Sequence, residues 1–167
     1  MLLVFGGLPG TGKTTLAKCI VPRLSAVHIR IDTIEQAMRD AGMTIKGPEG
    51  YLVGYALAAD NLRLGHTVIA DSVNPVEITR SAWRDVARRC NQEAVEIEVV
   101  CSDADKHRQR VESRTADLPG HEQPTWQQVL DRHYEPWNGS MVIDTAGHTP
   151  EQSAILLTHA LENLDRK

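Results

Sequence analysis

The fold of this chain is decided by the stretch Gly7-Leu8-Pro9-Gly10-Thr11-Gly12-Lys13-Thr14, which matches the pattern G-x-x-x-x-G-K-[ST] at every fixed position. Glycines let such a loop fold closely around an anion, with successive N–H groups pointing inward. The start of a following helix adds its positive dipole end. Lys13 supplies a mobile charge for the β- and γ-phosphates, and Thr14 a hydroxyl for Mg²⁺. The stretch therefore predicts a nucleotide-binding loop that includes Thr15.

The residues on either side of this loop have the character of a strand and a helix. The run from Leu2 to Phe5 is entirely apolar, as expected of a strand buried on both faces of a parallel sheet. After the loop, Leu16, Ile20 and Leu24 recur on one stripe of a helix that we predict over 14–24. This strand–loop–helix context supports phosphate binding over a chance turn rich in glycine and threonine.

Strand and helix patterns alternate along the rest of the chain. We predict strands over 27–31, 67–70, 94–101 and 141–143, and helices over 32–40, 50–64, 75–89, 103–114, 126–134 and 150–164. This alternation indicates one α/β domain, 1–167, with a parallel sheet and right-handed crossovers. The polar segment 115–124, with its two prolines and one glycine, is predicted to be a lid within that domain.

Composition limits the classes of function. With 41% hydrophobic and 24% charged residues, the sequence is typical of a soluble globular protein. A net charge of -4 argues against a partner such as duplex nucleic acid. The three cysteines, Cys19, Cys90 and Cys101, form no CxxC pair, which favours a reduced, cytoplasmic protein. No apolar run reaches the roughly 18 residues of a membrane span, and the start of the chain does not resemble a signal peptide.

Two acidic residues end predicted strands, at the edge where open α/β sheets bind ligands. Asp32 either accepts the proton of an acceptor hydroxyl that attacks the γ-phosphate or caps the next helix, and both roles can hold together. Asp71 suits a position beside Mg²⁺, directly or through water, with a turn acid as the alternative. Asn74 lines an acceptor pocket or is a turn residue.

Two arginines precede the predicted lid. Arg110 and Arg114 are four residues apart, so on a helix over 103–114 they share a face and can reach one anion. The planar guanidinium group matches phosphate oxygens and stabilises transition-state charge. A solvated face pairing with residues such as Glu112 is the alternative. We predict catalytic roles for both arginines and a nucleotide contact for Arg110.

Together these motifs resemble those of small P-loop kinases. The ensemble comprises the GxPGxGKTT loop, an Asp after strand two, an Asp-x-x-Asn after strand three and an Arg-x-x-x-Arg helix before a lid. It is similar to the kinases often labelled AAA-family ATPases, and to zeta toxins, chloramphenicol phosphotransferase and the polynucleotide 5′-kinase domain. The resemblance spans the whole chain. It implies a P-loop NTPase fold, a three-layer α/β/α sandwich with a five-stranded parallel sheet of order 2-3-1-4-5, which binds ATP with Mg²⁺ under a closing lid.

The resemblance also implies roles for residues. The family's catalytic acid matches Asp32, its lid arginines match Arg110 and Arg114, and adenine binds between the arginine helix and the loop 145–147. Several relatives carry Asp-x-x-Arg after strand two, whose arginine grips an acceptor phosphate. Here the same spacing ends in Glu35, which disfavours a phosphorylated or polynucleotide acceptor and favours an uncharged or cationic small molecule.

The function predicted from these observations is transfer of the γ-phosphate of ATP to a hydroxyl of a small molecule. A nucleotide-dependent regulatory module with slow ATP hydrolysis is one alternative, and a nucleotide or polynucleotide-end kinase is another. We expect the acceptor pocket to include Asn74 and residues of the segment 42–56, such as Tyr51. The choice of ATP over GTP rests on the resemblance, and the acceptor and the oligomeric state stay open.

Overall fold

The computed structural model describes residues 1–164, and the last residues of the predicted domain, 165–167, lie outside that part. Strands and helices alternate through the described part as expected. Their bounds are β1 Leu2–Gly6, α1 Lys13–Leu24, β2 Val27–Arg30, α2 Ile31–Asp40, α3 Glu49–Arg63, β3 Val68–Asp71, α4 Glu77–Arg89, β4 Ala94–Val100, α5 Ala104–Ser113, α6 Trp126–Leu130, β5 Met141–Asp144 and α7 Pro150–Leu164.

The strands form one parallel sheet of order β2-β3-β1-β4-β5, as the resemblance implied. The central strand β1 lies between β3 and β4, with Leu2 opposite Val68 on one side and Ala94 on the other. All five residues of β1 are buried, because helices cover both faces of the sheet. The fold class and strand order predicted from the sequence are confirmed.

Two apolar clusters form the core, one on each face of the sheet. Successive side chains of a strand point to opposite faces. Leu2 and Val4 therefore pack with residues of α3 and α4, including Trp83. On the other face, Leu3 and Phe5 pack with residues of α1 and α7. The sheet is thus fixed between two helical layers, and the carboxyl ends of β1, β2 and β3 meet at one edge. Within residues 1–164, no helix has both the length and the apolar character that crossing a membrane requires.

The sixth helix is shorter than predicted. We expected a helix over 126–134, but α6 ends at Leu130. The chain then turns inward toward Arg80, which is fully buried on α4. The guanidinium group of Arg80 donates hydrogen bonds to the carbonyl oxygens of Glu135 (2.7 Å) and Pro136 (2.9 Å) and stacks on the ring of Trp137. Pro136 also disfavours a helical residue before it. Tertiary contacts therefore override the helical spacing.

The ring of Trp137 lies directly against the backbone of Gly6. A Cβ atom added to Gly6 would lie 1.9 Å from Cζ3 of that ring. We expect Gly6→Ala to lower the free energy of unfolding by about 1–3 kcal/mol, since overpacking a close-packed core costs this much. Urea unfolding measures the change. Gly147→Ala is the control, because nothing lies within 4 Å of a Cβ atom there. Equal stability of the two variants would contradict the contact.

Candidate functional site

The loop between β1 and α1 has a conformation that needs its glycines. Gly7 and Gly10 have positive φ angles of 140° and 87°. A Cβ atom on Gly7 would lie 2.2 Å from the carbonyl oxygen of Val99, and one on Gly10 would lie 2.5 Å from Cγ2 of Val111. Other residues at these positions would therefore be strained in backbone and crowded by neighbours. The loop is built as its sequence pattern predicts.

Lys13 begins α1 immediately after the loop. It is buried, with 7% of its surface exposed. Burial lowers the pKa of its ammonium group, and the carboxylates of Asp71 and Asp32 partly offset this effect. The positive end of the α1 dipole also disfavours the charged form of Lys13. A nucleotide phosphate beside Lys13 would compensate this charge.

Asp71 ends β3 and is buried beside Lys13. Its Oδ2 atom lies 3.2 Å from Nε2 of His28, while its Oδ1 atom is buried without a hydrogen-bond partner among residues 1–164. Burial raises the pKa of Asp71, but the hydrogen bond to His28 and the charge of Lys13 outweigh burial and hold the pKa below its ordinary value. The hydroxyl of Thr14 lies close to this carboxylate and also lowers its pKa. The unpartnered oxygen and this hydroxyl fit Mg²⁺, which prefers hard oxygen ligands.

Asp32 is the second residue of α2, which has Arg30 as its N-cap residue and no capping hydrogen bond from that residue's side chain. The alternative role of Asp32 as a helix cap is therefore absent from this structure. Its carboxylate accepts a hydrogen bond of 3.4 Å from Nη2 of Arg30. The side chain is 33% exposed, which leaves it accessible from the cavity beside the loop.

That cavity has a volume of about 450 Å³ and lies between the loop, the start of α2 and the lid. It brings together five residues predicted from the sequence: Pro9, Lys13, Thr14, Asp32 and Arg114. Its wall also contains residues that were not predicted to belong to the site, namely Arg30, Glu35, Val73, His121, Glu122, Gln123, Pro124, Gln128 and Arg132. The position of Glu35 in this wall could have been predicted from the sequence, because Glu35 follows Asp32 by about one turn of the predicted helix.

The two lid arginines do not share a helix face as predicted. Helix α5 ends at Ser113, and Arg114 is extended, with φ −70° and ψ 138°. Burial lowers the pKa of its guanidinium group, which the nearby Asp32 partly opposes. This change of direction is what brings Arg114 to the cavity. It lies there with Asp32 and Lys13.

Arg110 lies on a different side of the loop. Its Nη1 and Nη2 atoms donate hydrogen bonds of 2.7 and 3.0 Å to the hydroxyl and carbonyl oxygens of Thr145. The hydroxyl of Thr145 donates in turn to the carbonyl oxygen of Thr11, at 2.7 Å. Arg110 therefore braces the loop from the 145–147 side. Its role in binding nucleotide stays a prediction.

The residues predicted to form an acceptor pocket lie away from this cavity. Asn74 is fully buried and has a φ of 48°. Its side-chain amide donates a hydrogen bond to the carbonyl oxygen of Phe5 and accepts one from the indole of Trp83. Asn74 is therefore a turn residue in this structure, which is the alternative role that we gave for it. The hydroxyl of Tyr51 accepts from the backbone of Asn74. Among the described residues, none of the segment 42–56 lines the cavity. Helix α3 lies behind α2, which presents its own side chains instead.

The segment 115–124, predicted to be a lid, is fastened to the rest of the domain by Asp117. Its carboxylate accepts two hydrogen bonds from Arg30, of 2.7 and 3.1 Å, and one of 2.8 Å from Lys18. The hydrogen bond from Arg30 holds the pKa of Asp117 well below its ordinary value, in spite of partial burial. A depressed pKa means that this contact is complete above the ordinary pKa and is lost as the pH falls through the folded value. The contact is therefore intact throughout the neutral range.

We expect Asp117→Asn to loosen the lid. Amide exchange in residues 115–124 should become about threefold to tenfold faster at pH 7, since an exposed ion pair contributes modestly. Asp60→Asn, which removes an exposed pair with Arg63, is the matched control and should leave the lid unchanged. Salt at 1 M should weaken protection in the wild type and have little effect in Asp117→Asn. Unchanged exchange in the variant would contradict this role.

The fold and the site together define a P-loop NTPase. The family model described as an AAA domain, AAA_33, matches residues 2–136, and the chain belongs to that family. No curated protein matches the sequence significantly.

Many solved structures share the fold. The APS kinase CysC of Mycobacterium tuberculosis, in complex with AMPPNP and APS, is 16% identical with a TM-score of 0.73, covering 96% of each chain. A gluconokinase of Sinorhizobium meliloti is 18% identical with a TM-score of 0.65, covering 97% of this chain and 94% of its own. Kti12 of Chaetomium thermophilum, in complex with ADP-AlF3, is 19% identical with a TM-score of 0.67, covering 98% of each chain.

Proposed function

We propose that this chain is a kinase that transfers the γ-phosphate of ATP to a hydroxyl group of a small molecule. One observation carries the proposal: Asp32, Arg114, Lys13 and Thr14 line the same cavity. Phosphoryl transfer needs positioning and charge stabilisation at one place, and this cavity offers a base, two cations and a phosphate loop.

In the proposed transfer, the hydroxyl of the acceptor attacks the γ-phosphate of ATP. The acceptor oxygen forms a bond to the γ-phosphorus, the bond from that phosphorus to the β-phosphate oxygen breaks, and ADP leaves. The hydroxyl proton passes to the carboxylate of Asp32. Lys13 and Arg114 stabilise the charge on the transferring group. Mg²⁺, held by Thr14 and Asp71, would neutralise the phosphate oxygens.

The structural neighbours support a nucleotide and a small acceptor as ligands. The APS kinase binds AMPPNP and APS, and another neighbour is a gluconokinase. Kti12 is a further neighbour with a bound nucleotide, ADP-AlF3. The proposal includes a cytoplasmic location, where thiols such as the three free cysteines stay reduced.

The test is ATP consumption with a panel of hydroxyl-bearing metabolites, antibiotics and nucleosides, with mass spectrometry of the products. We expect ADP formation to depend on one class of acceptor and to match the phosphate ester formed, one for one. Slow ATP hydrolysis that no acceptor stimulates would instead favour the regulatory module.

A further inference from the structure

The cavity carries two carboxylates on one face of α2. Asp32 and Glu35 are three residues apart, so their side chains project from the same side of the helix, and both line the cavity. The charge of Asp32 acts on Lys13 and Arg114 at the phosphate end. Glu35 lies one turn further along α2. The cavity therefore continues past the base to a second anionic group.

Glu35 is held in place by two neighbours. Its Oε2 atom accepts a hydrogen bond of 3.2 Å from Arg39, and its side chain packs against Gly50 of α3. A Cβ atom on Gly50 would lie 2.4 Å from Cγ and 2.9 Å from Oε1 of Glu35. The side chain is 21% exposed. Its carboxylate is thus positioned by the absence of a side chain at Gly50, in the wall of the cavity.

Away from the phosphate end, two arginines line the cavity, Arg30 and Arg132, and the first of them is engaged. Arg30 lines the cavity, but Asp117 binds its guanidinium group through two hydrogen bonds. The lid adds Gln123, whose Oε1 atom is buried without a hydrogen-bond partner in the described part of the chain. Three hydrogen-bond acceptor groups, in Asp32, Glu35 and Gln123, therefore lie beside the base, and Arg132 is the cation there that Asp117 does not engage. A complementary ligand brings several donors and positive charge.

We propose that the acceptor is a hydroxylated amine, of the class of amino sugars and aminocyclitols, with its ammonium group on Glu35 and a hydroxyl on Asp32. This inference rests on the proposed function. Residues three apart on a helix have Cβ atoms about 5–6 Å apart, a separation that one six-membered ring bearing both groups spans. The hydroxyl oxygen takes the γ-phosphoryl group, its proton passes to Asp32 and ADP leaves. The protonated amine has no lone pair and is not phosphorylated.

The experiment compares matched acceptors at saturating ATP and Mg²⁺, at a pH where the amines are protonated. Glucosamine is compared with glucose, an aminocyclitol with inositol, and gluconate serves as the anionic member. We expect kcat/KM to be about tenfold to hundredfold higher for the amines, as a charge-assisted hydrogen bond provides. Glu35→Gln should remove this preference by lowering kcat/KM for the amines, while the neutral partners change less than about threefold. Glu35→Asp should retain the preference in part.

The control variant is Glu112→Gln. It breaks an i,i+4 pair with Arg108 on α5 that matches the pair of Glu35 with Arg39, and it should change neither acceptor class. An ADP-induced rise in Tm equal to that of the wild type shows that Glu35→Gln is folded.

The outcomes separate this inference from the function on which it rests. The inference would be overturned if neutral or carboxylated acceptors were phosphorylated at the same rate as the amines. It would also be overturned if Glu35→Gln left the turnover of the amines unchanged. Either result would leave the proposed kinase function intact. ATP hydrolysis without any phosphorylated acceptor would overturn both.

Discussion

Asp32→Asn should lower kcat for phosphoryl transfer by about 10²–10⁴-fold, the usual contribution of a general base. The change keeps the size of the side chain but removes the group that takes the hydroxyl proton. Asp32 lies outside the phosphate loop itself, so we expect the Kd for ATP to change by less than about threefold. Single-turnover transfer and nucleotide titration measure the two quantities separately.

A matched control is available on the same helix. Asp40→Asn makes the same chemical change at the end of α2, where the carboxylate pairs with Gln36, and should leave kcat unaltered. A kcat for Asp32→Asn within about threefold of the wild-type value would show that this carboxylate is not the base.

Lys13→Met should abolish useful nucleotide affinity without unfolding the protein. Removing one partner of a buried ion pair costs about 3–5 kcal/mol, so we expect the Kd for ATP to rise by about 10²–10⁴-fold. The ADP-induced rise in Tm should disappear at concentrations that stabilise the wild type. Lys46→Met, on an exposed segment, is the control for loss of a lysine charge and should bind normally.

Lys13→Met also tests how much the buried ammonium group lowers the stability of the ligand-free protein. Because the pKa of Lys13 is lowered in the folded chain, the charged form is less favourable there than in the unfolded chain. The stability of the ligand-free wild type should therefore rise as the pH increases from the folded pKa to the ordinary lysine value. Lys13→Met should lose this dependence, because methionine has no group that titrates in this range. Thermal unfolding of the ligand-free proteins between pH 7 and 10 measures it.

Local sequence was sufficient to predict those elements whose structure depends on residues close together in the chain. The apolar run before Gly7 and the pattern after it predicted β1, the loop and α1. The meeting of Asp32 with Lys13 was predictable because both follow the carboxyl ends of parallel strands. The strand order required the family resemblance, since the pairing of strands depends on contacts distant in sequence.

The features that were missed depend on such distant contacts. His28 reaches Asp71 across 43 residues, and Arg30 reaches Asp117 across 87. Neither pairing leaves a periodic signal in the sequence. Arg114 was placed on a helix because its spacing from Arg110 is helical, yet its backbone leaves α5 to reach the cavity.

The hydrogen bond from Thr145 to the carbonyl oxygen of Thr11 bears on where this module ends. Similarity to the family is detected over residues 2–136. Three features that hold the loop and the sheet follow that span in the sequence. They are Trp137, whose ring packs on Gly6, the edge strand β5, and Thr145. The unit that folds is therefore longer than the unit that is recognisable. A polypeptide cut at the boundary of recognition would keep every residue of the glycine loop and lose the brace that sets its shape.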